Sequence, residues 1–242
     1  MSLIALLPLL LAAASSDTSG ARPAPPLFKF AGDVGYVSTA GNSSVRTLNL
    51  GNRLSMKTGD VTLSQSFNVV NGRSKGVEVT SLWRAGLRGD VAVEPTIGVY
   101  ASIAFERNVF AGLRSRVANT LGLTAQLVKT PRDRFSVEGG MSLTSQRGVA
   151  GKGRDLDFLG GRAATAFAHQ LSSKASISQS VELLPNFRQS EDLRINTESL
   201  LTAPVSRHVS LRLSYIIRYD GLPEPGFLAT DRLFTSGVQV GL

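Results

Sequence analysis

The sequence predicts an all-β chain, a transmembrane antiparallel up-and-down β-barrel of about twelve strands, on three observations. Apolar and polar residues alternate with a period of two almost without a break from residue 28 onward. The alternating runs last about ten residues, the length of a tilted bilayer crossing, where sandwich strands are commonly ~5–6. Arg and Glu stand in the middle of the polar face on nearly every run, as a water-filled or ion-paired interior requires. A soluble β-sandwich is the alternative these patterns admit, and it differs in covering the apolar flank with a second sheet instead of lipid.

Bulk composition does not separate the two. The chain has 242 residues, 42% hydrophobic and 18% charged, an ordinary globular average. No run after the start reaches the ~18 uninterrupted apolar residues of a membrane helix. The opening "MSLIALLPLLLAAASS" is an apolar run that stops at small residues, and it reads as a signal peptide over 1–14, although no Lys or Arg precedes it. Residues 15–27, "SSDTSGARPAPPL", are too rich in Ser and Pro to bury a core and read as a disordered leader. The barrel domain is expected over 28–242.

Within it, each segment has one apolar side. Phe28, Phe30, Val34 and Tyr36 oppose Lys29 and Asp33, and Leu48, Leu50, Leu54 and Met56 oppose Asn49 and Arg53. After "KTGD", Val61, Leu63, Phe67 and Val69 form the third apolar set, and Val77, Val79, Trp83 and Leu87 the fourth, opposite Glu78 and Arg84. Ile97 to Phe105 oppose Tyr100 and Glu106, and Val117, Leu121 and Leu123 oppose Arg114, Arg116 and Thr120. Phe135, Val137, Met141 and Leu143 follow "KTPRDR", opposite Glu138, and Leu159, Phe167 and Leu171 follow "RGVAGKGRD", opposite Arg162. Ile177, Val181 and Leu183 oppose Glu182, and Leu193, Ile195 and Leu201 oppose Arg194 and Glu198. "VSLRLSYIIRYD" sets Leu211, Leu213 and Tyr215 against Arg212 and Arg218, and the last run ends in Phe234, Val238, Val240 and Leu242. An even strand count places both ends of the barrel on the periplasmic side. The short turns "KTGD", "KTPRDR", "LSSK" and "APVSRH" then fall in the periplasm, and "RGVAGKGRD" and "GLPEPGFLATD" fall outside.

The stretches "GDVGYVSTAGNSSVRTLNLGNRL", "AFERNVFAGLRSRVANTLGLTAQL" and "VSLRLSYIIRYDGLPEPGFLATDRLF" resemble DUF481, a family of bacterial outer-membrane proteins of uncharacterised activity, with a member described as salt-induced. The resemblance runs from about Phe28 to Leu242. It implies a barrel in the outer membrane of a Gram-negative bacterium and no known activity. It marks Gly41, Asn42 and Ser43 as a motif turn, and Phe234, Val238, Val240 and Leu242 as the terminal signal read by the barrel-assembly machinery. That signal usually ends in an aromatic residue, and this chain ends in Leu242.

The chemistry-bearing residues point to a lumen more than to a reaction. There is no cysteine, so neither disulfides nor thiolate ligands are available, and no cofactor is expected. The two histidines, His169 and His208, fall at the periplasmic end, whereas a lipid hydrolase of this architecture needs His and Ser near the outer rim. "GVAGKGRD" lacks the strand-to-helix setting and the Ser or Thr that a phosphate-binding loop needs after its Lys. The net charge of +8 is scattered singly, without a basic patch that would take nucleic acid. By parity Glu78, Glu106, Glu138, Glu182 and Glu198 face inward, each with a basic neighbour across the strand pair. The expected function is therefore a non-enzymatic barrel, a narrow passive channel for small polar or anionic solutes in which Arg114, Arg116, Arg212 and Arg218 set the preference. A closed structural barrel is the alternative and a lipid-modifying enzyme the more distant one. The expected partners are outer-membrane lipid and lipopolysaccharide, and the barrel is expected to be a monomer.

Overall fold

Strands with one apolar and one polar flank expose edges that a sheet must hide, by stacking under another layer or by closing on itself. In the computed structural model, which describes residues 27–39, 45–151, 153–172 and 175–241, the sheet closes. The strands are β1 (Leu27–Thr39), β2 (Val45–Thr58), β3 (Val61–Ser74), β4 (Val77–Ala92), β5 (Ile97–Asn108), β6 (Leu113–Lys129), β7 (Asp133–Gly148), β8 (Leu156–Ser172), β9 (Ala175–Pro185), β10 (Leu193–Pro204), β11 (Val209–Asp220) and β12 (Thr230–Gly241). Each pairs antiparallel with its neighbours in sequence, and β12 returns to β1. A single closed sheet excludes the sandwich. The expected signal peptide, the expected leader as far as residue 26, the motif positions Gly41, Asn42 and Ser43, and the terminal Leu242 lie outside the described residues.

The strands run from 11 to 17 residues, longer than the sequence pattern suggests, because pairing continues past the apolar band into polar rims such as Lys129 of β6 and Asp133 of β7. Connections alternate in length only in part, since the far-end connections 75–76 and 109–112 are as short as those of the other end. At the end where β1 begins, the near end, they span 59–60, 93–96, 130–132 and 205–208, while the far end carries the longer segments 149–155, 186–192 and 221–229. The tightest far-end hairpin turns on Lys75 and Gly76, whose φ values of 50° and 82° are both left-handed, the arrangement that matches the twist of paired strands.

Which flank faces out follows from exposure. Leu121 and Leu123, in the middle of β6, are 57% and 59% exposed, so no protein covers them. Inside, the packing depends on one aromatic ring. Tyr100 of β5 is 1% exposed and lies across β6 and β7 where both carry glycine: a Cβ on Gly122 would stand 2.8 Å from the ring, and one on Gly140 3.1 Å from the hydroxyl. The neighbouring Gly139 points outward into open space. Gly140→Val should therefore collide with the β6 backbone, where the Leu121 carbonyl oxygen would stand 2.6 Å from the new Cβ, crowd Tyr100 and lower the fraction of assembled barrel, at an overpacking cost of at least about 1–3 kcal/mol, while Gly139→Val leaves assembly unchanged. Comparing the compact, heat-modifiable band of the two variants on a detergent gel checks this.

Candidate functional site

Period-two alternation sends the charged residues of most strands inward, and the closed sheet brings them within reach of one another across the lumen. The lower of two ionic layers is built on Tyr100. The Arg88 guanidinium lies 4.0 Å above its ring, and Arg162 donates a 2.8 Å hydrogen bond to its hydroxyl. Arg88 also bridges Asp90 at 2.7 Å and Glu138 at 2.9 Å. Arg162 pairs with Glu138 and, at 2.7 Å, with Glu182, which accepts a 2.9 Å hydrogen bond from Asn196. Five strands are thereby tied together by planar, multidentate guanidinium contacts.

The upper layer centres on Glu106, with Arg84 at 2.7 Å, Arg116 at 3.6 Å and Arg218 at 3.7 Å. Arg116 donates to the Gln146 side chain at 2.6 Å. Arg194 lies 5.7 Å from the Phe158 ring, with Asp192 at 4.0 Å as its acidic neighbour. Above this layer the far end is filled by the buried Val70, Leu82, Leu113 and Phe158. The β11–β12 connection then folds over the mouth. Its Glu224, 7% exposed, accepts hydrogen bonds from the Gln146 side chain at 2.9 Å and from the Arg154 backbone and Nε at 3.0 and 3.1 Å.

Below and between the layers lies a cavity of about 690 Å³ lined by seven arginines and four glutamates. Lining residues toward the near end, among them Arg53, Ser66 and Ala166, are exposed to solvent. Water therefore enters from the near end, while the far end is capped. The arrangement is a field of fixed charge, and chemically it can attract, hold and pass small ions.

Arg116, Arg218, Glu138, Glu182 and Glu198 line this cavity as expected. Arg212 lines an adjoining 260 Å³ part of the interior beside β1, which shares Arg53, Arg84 and Arg218 with the larger cavity, and pairs with Asp33 at 2.6 Å. Arg114 is a correction. The register shifts between Leu113 and Ser115, so Arg114 occupies a bulge, is exposed and lines no part of the interior. Parity fails at Glu78 for the same reason: a shift between Gly72 and Arg73 sets it opposite Arg73, where it accepts a hydrogen bond from Asn71. Among the described residues Glu198 has no basic neighbour in contact, and it accepts from Ser214 at 2.8 Å. Phe234, Val238 and Val240 face outward and are exposed.

Both histidines lie at the near end. His169 stacks on Phe167 and places Nδ1 2.7 Å from Asp133 Oδ1, and His208 sits in the 205–208 turn. Among the described residues no group of His, Asp and Glu could hold a metal ion. Sequence reasoning missed the Glu224 clasp and the buried Val70 and Leu82. For Val70 the signal was present in "NVVN", where a second valine interrupts the alternation.

In solved structures the chain is similar to the translocator domain of the autotransporter NalP from Neisseria meningitidis, at 14% identity, with 93% of this chain and 89% of that one covered and a TM-score of 0.46. It is similar to the NanC porin at 8% identity, covering 88% and 97%, with a TM-score of 0.49. The KdgM porin matches at 10% identity, 88% and 98% coverage and a TM-score of 0.46. Likeness at this level carries no functional inference. No curated protein matches the chain in sequence. The family model described as "Protein of unknown function, DUF481" matches residues 32–241, and the chain belongs to that family.

Proposed function

We propose that this protein is an outer-membrane barrel of a Gram-negative bacterium, with its near end in the periplasm, that passes small anionic or polar solutes passively. The observation that carries this reading is the solvent-entered cavity in which seven arginines face four glutamates. A positively biased, narrow lumen lowers the barrier for anions and raises it for cations. The outward leucines, with no protein to cover them, support a lipid surround. In this reading lipid and lipopolysaccharide are the partners, the assembly machinery reads the outward Phe234, Val238 and Val240, the barrel works as a monomer, and no catalysis is assigned to it.

A closed structural barrel is the second reading, and the Glu224 clasp favours it, because that clasp seals the far mouth. The two readings separate at the clasp. Glu224→Ala removes the acceptor of three hydrogen bonds, two of them to Arg154 and worth about 1.5–3 kcal/mol each as bonds to a charged group. In planar bilayers it should raise single-channel conductance severalfold if the connection is a cap over a conducting lumen. Unchanged, negligible conductance in both forms would support the closed barrel.

The charge bias has its own test at Arg53, which lines the cavity and has no hydrogen-bond or ion-pair partner among the described residues, so that reversing its charge leaves both ionic layers intact. Arg53→Glu should lower the anion-to-cation permeability ratio, read from reversal potentials in a salt gradient, roughly twofold or more. An unaltered ratio would contradict the proposal.

A further inference from the structure

The outer flank of the barrel differs between its two ends. Among the described residues, every Lys or Arg that points outward from a strand stands at the far end: Arg46, Arg73, Arg107, Arg147 and Arg232 by alternation, and Arg114 by its bulge. Strand cations of the near end, such as Lys129 and Arg134, fall on the inward side.

On β5, β6 and β7 three of the outward arginines stand side by side. Glu106 pairs with Arg116 and Asn108 with Leu113, which leaves Arg107 facing the two residues Arg114 and Ser115. Ser115 in turn lies opposite Arg147. Adjacent strands are about 5 Å apart, so the three long side chains reach over one small area. Arg147 is held by Asp157 at 3.0 Å. Arg107 and Arg114 are exposed, and neither has a hydrogen-bond or ion-pair partner among the described residues. Like charges set across a strand pair cost stability, and a bulge gives up pairing to re-aim a side chain. An anion lying against the two guanidiniums offsets both costs.

The surroundings fit a lipid head group better than a free ion. Trp83 of β4 lies directly opposite Arg107 and is exposed, with its indole in edge contact with Phe67 at 6.2 Å. Indole rings settle at the level of lipid head groups. One step toward the near end, Phe105 pairs with Val117, and Leu143 is exposed on the neighbouring β7, an apolar wall for acyl chains. A guanidinium grips phosphate through two parallel N–H donors. In the outer leaflet of a Gram-negative bacterium, that phosphate is carried by lipopolysaccharide.

We infer that the outward far rim of β4–β7 binds the phosphorylated head group of lipopolysaccharide, with Arg107 and Arg114 on its phosphate oxygens, Trp83 at head-group level and acyl chains along Phe105 and Val117. The inference rests on the membrane reading proposed above and gives its lipid partner a place on the barrel. Trp83 is the one tryptophan of the chain, so its emission reports this site without a label. Full-length protein is placed in phosphatidylcholine nanodiscs with a rising fraction of lipid A, of lipid A stripped of its phosphates, or of phosphatidylglycerol; a fourth series receives inorganic phosphate.

Lipid A should shift the emission at the lowest fraction. Arg107→Gln should raise the fraction needed about fivefold, and Arg107→Gln with Arg114→Gln about thirtyfold, the factors that one and two guanidiniums contribute at an anionic lipid surface. Arg232→Gln, across the barrel on the same rim, should change nothing. An equal response to the stripped lipid overturns phosphate recognition, and that comparison needs no variant if the double change does not assemble. Phosphatidylglycerol acting at the same fraction overturns lipopolysaccharide as the occupant, and an equal shift with inorganic phosphate overturns a lipid. An equal loss in Arg232→Gln overturns the location. Brominated phosphatidylcholine that quenches Trp83 while lipid A has no effect overturns the site alone; failure to quench overturns the membrane reading and the site with it.

Discussion

Backbone hydrogen bonding in the absence of competing water is the constraint on which this structure depends. On the membrane reading proposed above, a sheet whose outer flank carries Leu121, Leu123, Met141 and Leu211 in the open can leave no long edge unpaired, because hydrocarbon offers no partner to a peptide group. Closure follows from that requirement, and closure is what gathers the inward side chains. Arg88 of β4 and Glu138 of β7 are fifty residues apart and meet at 2.9 Å only because the intervening strands curve round.

Once gathered, the charges do two jobs at once. Tyr100 fills the space that Gly122 and Gly140 leave open, and its ring and hydroxyl orient Arg88 and Arg162, which in turn hold Glu138. A lumen filled in this way resists collapse without an apolar core, and the residual excess of arginine gives it a sign. The upper layer repeats the pattern around Glu106 and is sealed by apolar side chains and the Glu224 clasp. The asymmetry between a capped far end and a wet near end comes from the three long connections, 149–155, 186–192 and 221–229, which all lie on one side.

Much of the fold was legible in the sequence, since period two is a local property: the strand count, the partial alternation of connection lengths and the inward set of Arg116, Glu138, Glu182 and Arg218 all follow from it. Parity misplaces residues where a bulge inserts one residue into the count, and Arg114 and Glu78 both lie beside such shifts. Which charges pair across the lumen was not legible. Arg212 and Asp33 lie 179 residues apart and meet only across the closing seam, and Glu224 reaches Gln146 by the fold of a long connection with no periodic signal. Alternation fixes the face of a residue and is silent about its partner.

The account stands or falls on what covers the apolar flank. Fractionation of cells that produce the full chain, followed by detergent-gel migration with and without boiling, tests it most directly. The account predicts a membrane-bound protein that needs detergent for extraction and migrates as a faster, compact band before heating and a slower one after it. Recovery of the folded chain in the aqueous fraction without detergent, with a single heat-insensitive band, would contradict it.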